Sequence, residues 1–280
     1  MQPARDCEWL IDDMEASDIT VGIPFYSGSE PRHFIDAVES IQEQTCAPKK
    51  IHLVQDGPVP EKMEEVVRRK EQEEARIEHL HLGEKKGLSY ALNYSILKSE
   101  TPFYARMDAD DISHPERFEK QVRFFNANPE VEILGTWALE FSSNPKEEDT
   151  FLKKVPTEQK EMEDVLHYRS PFIHPSVMFR RRVFAKIGLY PDQERVEDLC
   201  LWSRAFKRGT RTANIAEPLL YFRFQGVVGR RSSFDRIGRE ARMRFGYGTL
   251  SPTLNVLKIS SLLVRTLPER IQEWVYSELR

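Results

Sequence analysis

Three carboxylates fall within four residues at Asp108, Asp110 and Asp111, directly after the apolar run Phe103-Tyr104-Ala105. In extended chain the side chains alternate with a period of two, so Asp108 and Asp110 converge on one point. Two carboxylates so placed repel, and at least one pKa rises unless a cation sits between them. A hard divalent ion, Mg2+ or Mn2+, takes oxygen ligands of this kind, and so small a ligand set leaves positions open for substrate phosphates. Asp111 points the other way if the strand persists. Arg106 shares the parity of Asp108 and is placed to pair with the acids. Taken alone, an Asp-x-Asp also describes a solvated acidic turn before a helix. The rest of the chain has to decide.

The elements around the cluster give it a position. Ile19, Val21 and Ile23 alternate with Thr20 and Gly22, which predicts a strand stopped by Pro24. Pro31 starts a helix whose Phe34, Ala37, Val38 and Ile41 share one face. A second strand, Ile51 to Val54, runs into Gln55-Asp56-Gly57-Pro58. A charged helix from about Pro60 to Ala75 follows, then a strand with Ile77, Leu80 and Leu82, and a helix from Leu88 that carries Ala91, Leu92, Ser95 and Ile96 on one side. The acidic strand is therefore the fourth. Such alternation implies right-handed βαβ units, an α/β fold with a mainly parallel sheet, and ligands bound outside the carboxyl ends of the strands. The Tyr26 loop, Asp56-Gly57 and Asp108 to Asp111 all fall on that rim. Ser113-His114-Pro115-Glu116 reads as a capping box opening a helix with Phe118, Val122 and Phe125 on one side.

The second half is less regular. Residues 142 to 161 are polar and read as a surface excursion, Phe172 to Phe179 as extended chain, Leu199 to Arg208 as a helix after Val196-Glu197-Asp198, and Leu219 to Phe224 as a strand. From residue 230 arginines alternate with apolar residues up to Trp274, which predicts an amphipathic helical tail. The 280 residues carry a net charge of -4, distributed unevenly. Residues 201 to 280 hold 15 Lys and Arg against 6 Asp and Glu, so the basic end favours an anionic neighbour, phosphate-bearing substrate or anionic lipid, over nucleic acid, which the acidic remainder repels. Cys7, Cys46 and Cys200 have no zinc-ligand spacing and form no disulfide framework. No secretory signal opens the chain and no run is apolar enough to span a bilayer, so a cytoplasmic location is expected.

Several strings, in order, resemble the family 2 glycosyltransferases of the GT-A fold, particularly bacterial enzymes that build exopolysaccharide or lipopolysaccharide. They are Ile19-Thr20-Val21-Gly22-Ile23-Pro24-Phe25-Tyr26, Gln44-Thr45, Val54-Gln55-Asp56-Gly57-Pro58, and Lys86-Gly87-Leu88-Ser89 followed by Ala91-Leu92-Asn93. Arg106-Met107-Asp108-Ala109-Asp110-Asp111-Ile112-Ser113, Gly135-Thr136, His174-Pro175-Ser176 and Glu197-Asp198-Leu199 with Leu201-Trp202 complete the set. The resemblance spans residues 18 to 225. It implies a leader over 1–17, a catalytic domain over 18–225 divided into a nucleotide-binding half (18–112) and an acceptor-binding half (113–225), and a basic tail over 226–280.

The resemblance also implies roles. Asp56 accepts from the nucleotide base, the uracil N–H foremost, although Gln55 and Pro58 depart from the family's Val-Asp-Asp-Gly-Ser pattern. Pro24 and Tyr26 pack on the nucleoside, and Lys86 and Asn93 approach base or ribose. Arg106, Asp108 and Ala109 line the nucleotide-sugar site. Asp110 and Asp108 bind Mn2+ or Mg2+, with His174 a further metal or phosphate contact or a hydrogen-bonded structural histidine. Asp198, with Glu197 second, is the general base; by position alone both acids also complement a helix dipole. Trp202 is expected in the core.

The implied reaction moves a sugar from a nucleotide diphosphate, a UDP-sugar foremost, to a glycan or lipid-linked acceptor with inversion. The absence of a Gln-x-x-Arg-Trp string favours single additions. The tail is expected either to touch anionic lipid at the inner face of the plasma membrane or to pack on the domain or a second subunit. A nucleotidyltransferase would carry a Gly-rich basic loop near its first strand, which is missing here. A non-catalytic sugar-nucleotide binder would not need Asp108, Asp110 and Asp198 together.

Overall fold

The computed structural model describes residues 18–145, 147–192, 196–224, 234–268 and 270–272. The leader over 1–17 and Trp274 lie outside the described residues. Four strands, β1 (Ile19–Phe25), β2 (Lys50–Asp56), β3 (Ile77–Leu82) and β4 (Phe103–Arg106), alternate with α1 (Pro31–Gln42), α2 (Glu61–Glu73) and α3 (Leu88–Lys98), as the apolar periodicity predicts. They pair in parallel in the order β3-β2-β1-β4.

Beyond them come β5 (Ile112–Ser113), α4 (Arg117–Ala127), β6 (Ile133–Phe141), β7 (Phe151–Lys153), α5 (Gln159–Val165), β8 (Met178–Arg180), α6 (Val183–Ile187), α7 (Glu197–Lys207) and β9 (Thr212–Arg223). The sheet continues from β4 through β8, β6 and β9 to β5, with β7 on β6. Contacts through β8, β5 and β7 are short and antiparallel, while β6 and β9 form a long parallel ladder, so the sheet is mostly parallel.

Helices cover both faces. On one, Phe34 and Val38 of α1, Met63 and Val67 of α2, and Phe118 and Phe125 of α4 pack on Val21, Ile23, Leu53 and Ala105. On the other, Leu92 and Ile96 of α3, Val183 and Ile187 of α6, and Leu201 and Trp202 of α7 pack on Tyr104, Ile133 and Phe179. Trp202 is fully buried, as expected, beside Phe172 and Phe179.

Several boundaries differ from the sequence reading. Pro24 does not stop β1, which runs on to Phe25 with Pro24 opposite Val54 of β2. The Gly22 carbonyl accepts from Met107 N–H on the β4 side, so Pro24, two residues on, turns its missing donor toward the side where β4 has ended, and no ladder bond is lost. Ser113 does not cap α4. It pairs in β5, donates its N–H to Ser40 Oγ and accepts from Gln44 Nε2, and the helix begins only at Arg117. The excursion over 142–161 contains β7, the extended stretch at 172–179 is broken by a 3-10 turn at His174–Ser176, and the last strand begins at Thr212 rather than Leu219.

The tail is helical, with α8 (Phe234–Gly246) and α9 (Pro252–Val264). It lies on the body: Lys207 Nζ donates to the Gly246 carbonyl at 2.8 Å, and the Tyr247 ring packs on His167 and Phe206. Within α9, Lys258 and Leu262 face inward while Val256, Ile259 and Leu263 are exposed.

Candidate active site

At the end of β4 the backbone leaves the sheet as a tight turn and returns as β5. The turn, rather than a continued strand, determines where the acids point. One carboxylate oxygen from each of Asp108, Asp110 and Asp111 lies within 4.8 Å of the others. The expectation that Asp111 points away is therefore corrected: strand parity ends at Arg106, and Asp111 joins the cluster.

The turn is held from both sides. Buried Arg106 donates Nη1 to Asp108 Oδ2 at 2.8 Å and pairs through Nη2 with Asp108 Oδ1. Arg117 of α4, also buried, donates Nη2 to the Arg106 carbonyl at 2.9 Å. From β9, the Arg223 N–H reaches Asp111 Oδ1 and its Nε reaches the Asp110 carbonyl, both at 2.8 Å. Asp111 Oδ2 is buried and has no hydrogen-bond partner among the described residues. Asp110 keeps an exposed surface, yet the protein packed around it and the Asp108 carboxylate push it up to about 6. Burial, with Asp108 and Asp110 beside it, raises Asp111 well above the carboxylate range. An orphaned, buried carboxylate oxygen among crowded acids is a donor set that fits a hard divalent cation.

Asp108 also lines a cleft of about 480 Å³, and across it stand Glu197 and Asp198 in the first turn of α7. Glu197 is 8% exposed and its Oε2 has no hydrogen-bond partner among the described residues. Burial and the adjacent Asp198 raise its pKa to about 7. Burial also raises Asp198, against the pull of its own helix N-terminus, Arg236 and Arg106. Asp198 keeps more exposure than Glu197. Arg236, Arg244 and Arg265, all from the tail, complete one wall of the cleft. Packing of the tail on the domain is one of its two expected placements, but a share in lining this cleft is not among them. The spacing of Arg236, Glu240 and Arg244 at i, i+4, i+8 was the available signal.

The remaining site candidates divide. Asp56 sits at the end of β2, where its carboxylate accepts the N–H groups of Lys86 (2.6 Å) and Gly87 (3.0 Å). Gly57 beside it has φ +82°, and a Cβ there would press on the Lys85 backbone nitrogen at 2.7 Å, so the turn requires glycine. Tyr26 is exposed on the same rim under the Lys85 ammonium, 4.8 Å from its ring centroid, and Pro24 is half-buried at the end of β1. The side chain of Lys86 turns to Glu84 and the Tyr90 ring. Asn93 is engaged elsewhere: its amide donates to the Tyr190 carbonyl and accepts the Tyr190 N–H, at 2.8 and 2.9 Å. Ala109 is buried inside the acidic turn. His174 lines the cleft but is not in the carboxylate cluster. Its Nε2 meets Tyr190 Oη at 2.8 Å, and burial next to Arg106 lowers its pKa well below the usual range, which keeps the ring neutral.

Comparison with known proteins agrees with this architecture. The family model described as glycosyl transferase family 2 matches residues 20–188. The amylovoran biosynthesis glycosyltransferase AmsE of Erwinia amylovora is 30% identical over 269 residues, covering 93% of this chain and 98% of that protein. The UDP-Gal:alpha-D-GlcNAc-diphosphoundecaprenol beta-1,3-galactosyltransferase of Escherichia coli is 28% identical over 283 residues, covering 96% and 98%. Among solved structures, S. aureus TarS 1-349 in complex with UDP-GlcNAc aligns with a TM-score of 0.63 at 14% identity, over 91% of this chain and 82% of that one. This chain spans 43% of a longer TarS chain. The mannosyltransferase PcManGT from Pyrobaculum calidifontis, in complex with GDP-Man and Mn2+, aligns with a TM-score of 0.63 at 15% identity, over 90% and 70%. The fold is that of the GT-A glycosyltransferases, and the chain belongs to glycosyl transferase family 2.

Proposed function

We propose that the chain is an inverting, metal-dependent, non-processive glycosyltransferase. It moves a sugar from a nucleotide diphosphate, a UDP-sugar foremost, to a glycan or lipid-linked acceptor in surface polysaccharide synthesis. One observation carries the reading: Asp108 of the acidic turn and Asp198 of α7 face the same cleft from different elements. That pairing supplies a place for the donor phosphates and a base for the acceptor. The printed names of the relatives support the setting, since one acts in amylovoran synthesis and another uses UDP-Gal and a diphosphoundecaprenol-linked acceptor.

Asp198, its pKa raised by burial, takes the proton from the acceptor hydroxyl. Glu197 beside it is the second choice, being more deeply buried. The acceptor oxygen forms a bond to the anomeric carbon as the bond from that carbon to the phosphate oxygen breaks. The electron pair leaves with the nucleoside diphosphate and the anomeric centre inverts. A divalent ion held by Asp108, Asp110 and Asp111, when bound, supplies Lewis-acid stabilisation of the diphosphate. Arg106 fixes the orientation of Asp108. Asp56 keeps the loop at Lys86 and Gly87 closed on the rim, and its remaining lone pairs are available to a base N–H. Pro24 and Tyr26 pack on the nucleoside. Asn93, engaged with Tyr190, acts by positioning rather than by touching the nucleotide.

The catalytic domain is assigned to 18–225, with its nucleotide half over 18–112, and the tail to 226–280. No helix among the described residues is long and apolar enough to cross a membrane. The outward face of α9 (Val256, Ile259, Leu263) and the adjoining arginines support peripheral docking on anionic lipid from the cytoplasmic side. Co-sedimentation with vesicles, with and without residues 230–280, tests the docking; equal binding by both forms rules it out. Incubation with UDP-sugars and GDP-mannose in the presence of Mn2+ tests the chemistry. Hydrolysis or transfer of one donor that disappears in Asp110→Ala is the expected result, and an unchanged Asp110→Ala protein refutes the metal role.

A further inference from the structure

We propose that His174 determines donor specificity by donating its Nδ1–H to a ring hydroxyl of the sugar being transferred, and that Tyr190 is the positioning residue that fixes its tautomer. The inference rests on the transferase reading and deepens it by naming a side chain that reads the sugar rather than the nucleotide.

The first support is the whereabouts of two protons. Tyr190 is buried, and its Oη lies 2.8 Å from His174 Nε2, its one hydrogen bond among the described residues. If Nε2 carried the ring proton, the phenol's own proton would be left buried without an acceptor, at a cost of about 1–3 kcal/mol. The hydroxyl therefore donates to Nε2. A neutral imidazole that accepts at Nε2 carries its proton on Nδ1. Nδ1 meets no acceptor among the described residues, and the half-buried ring lines the cleft. The second support is rigidity. Asn93 brackets the Tyr190 backbone with bonds of 2.8 and 2.9 Å. His174 opens a 3-10 turn closed by Ser176, whose N–H and Oγ both donate to the Ile173 carbonyl and whose Oγ accepts the Thr136 N–H of β6. The ring also stands edge-on to Trp202 of α7, 5.8 Å between centroids. An unmatched donor held this firmly is prepared for an oxygen of a ligand.

Position and charge then select that oxygen. His174 shares the cleft with Arg106 and Asp108 at the nucleotide end and with Glu197 and Asp198 at the base. Its partner Tyr190 is close enough to Arg106 and to both acids of α7 for each to act on its hydroxyl. The pair thus stands in the interval between diphosphate and base, which the transferred sugar occupies in the reaction proposed above. A phosphate oxygen is met best by a cation, and burial beside Arg106 keeps this ring neutral. A single neutral N–H matches a neutral sugar hydroxyl instead.

Two measurements on the full chain test this. Long-range 1H–15N correlation at pH 7 reads the ring nitrogens of the seven histidines, and the ring missing from His174→Asn is His174. Wild type should show its Nδ1–H tautomer and Tyr190→Phe should lose it; an Nε2–H tautomer in wild type overturns the proposal. Calorimetry with Mn2+ then compares UDP with UDP-galactose, UDP-glucose and UDP-N-acetylglucosamine. For the sugar nucleotide that wild type binds most tightly, His174→Ala should bind about tenfold more weakly with its UDP affinity kept. His174→Asn, whose amide sets an N–H near the Nδ1 position, should recover part of the loss, and Tyr190→Phe should fall between. Unchanged sugar-nucleotide affinity in His174→Ala overturns the contact, as does a wild type that binds UDP but none of the three sugar nucleotides. Equal losses for UDP and sugar nucleotide overturn it in favour of a phosphate contact. Failure of wild type to bind any of the four sinks the transferase reading and the sugar contact with it, while the tautomer still decides whether Tyr190 orients His174.

Discussion

Replacing Glu197 by glutamine should make the protein more stable as the pH rises. The carboxyl is buried, one oxygen has no hydrogen-bond partner among the described residues, and its pKa stands at about 7 against an ordinary 4.5. An acid whose folded pKa is raised holds its proton longer in the native state than in the unfolded chain. Stability is therefore intact below the ordinary value and lost as pH climbs from there through the folded value. At about 1.4 kcal/mol per pH unit, the spread amounts to roughly 3 kcal/mol once the pH is well above 7. Most of that, roughly 2–3 kcal/mol, is lost between pH 5 and pH 8. Glutamine keeps the shape and never ionises. Urea unfolding of metal-free wild type and Glu197→Gln at about pH 5 and pH 8 should show the variant's advantage growing by roughly 2–3 kcal/mol, or about 4 °C in melting temperature for a chain of this length. A gap that stays constant across that range would refute the argument that Glu197 is held against its charge.

Four further outcomes are expected. Asp111→Asn keeps an acceptor for the Arg223 N–H, so the metal-free protein should melt no lower than wild type, whereas the Mn2+-induced rise, about 2.7 kcal/mol at a hundredfold excess over Kd, should shrink; an undiminished rise in a thermal-shift titration removes Asp111 from the ligand set. The acid limb of kcat/KM should lie above the ordinary aspartate value, because burial raises Asp198, and a limb at or below that value would exclude it as the base. Asn93→Ala removes both bonds to the Tyr190 backbone and should cost about 1–3 kcal/mol in urea unfolding, with UDP affinity preserved; a selective loss of UDP affinity would return Asn93 to the nucleotide site. Gly22→Ala would drive a methyl group into Tyr104 Oη and Ser95 Oγ, costing about 1–3 kcal/mol, and a variant as stable as wild type would show that Tyr104 is free to move.

The first four strands and their helices were legible because each helix shows a 3.6-residue apolar face and each strand a short apolar run bounded by turn residues. The rim at Tyr26, Asp56 and the acidic turn followed from that alternation alone. What the sequence hid depends on contacts between distant segments. Asp111 joins the cluster because the backbone turns after Arg106, under the grip of Arg117 from α4 and Arg223 from β9, and no local pattern announces a turn made that way. Ser113 has the composition of a helix cap, but pairing with β9 and the Ser40 hydroxyl outcompetes that local role. Asn93 carries a family motif, yet its polar groups are consumed by Tyr190, nearly a hundred residues away in the chain. The tail's arginines were visible as charge but not as a wall of the cleft, since α8 gains that role only by packing on α7.

Arg223 ends β9 and grips the acidic turn at two points, and its guanidinium also reaches the Ser143 carbonyl at 2.9 Å. The stretch recognised by the family model closes at residue 188, well before that grip and before Asp198. A fragment cut where the family model ends would keep the three aspartates but lose the strand that aims them, the proposed base Asp198, and the sheet's outer edge. The smallest heritable unit of this activity is thus longer than its most recognisable part, and shuffling of such domains between chains has to carry the unremarkable-looking segment through residue 223 along with the motifs.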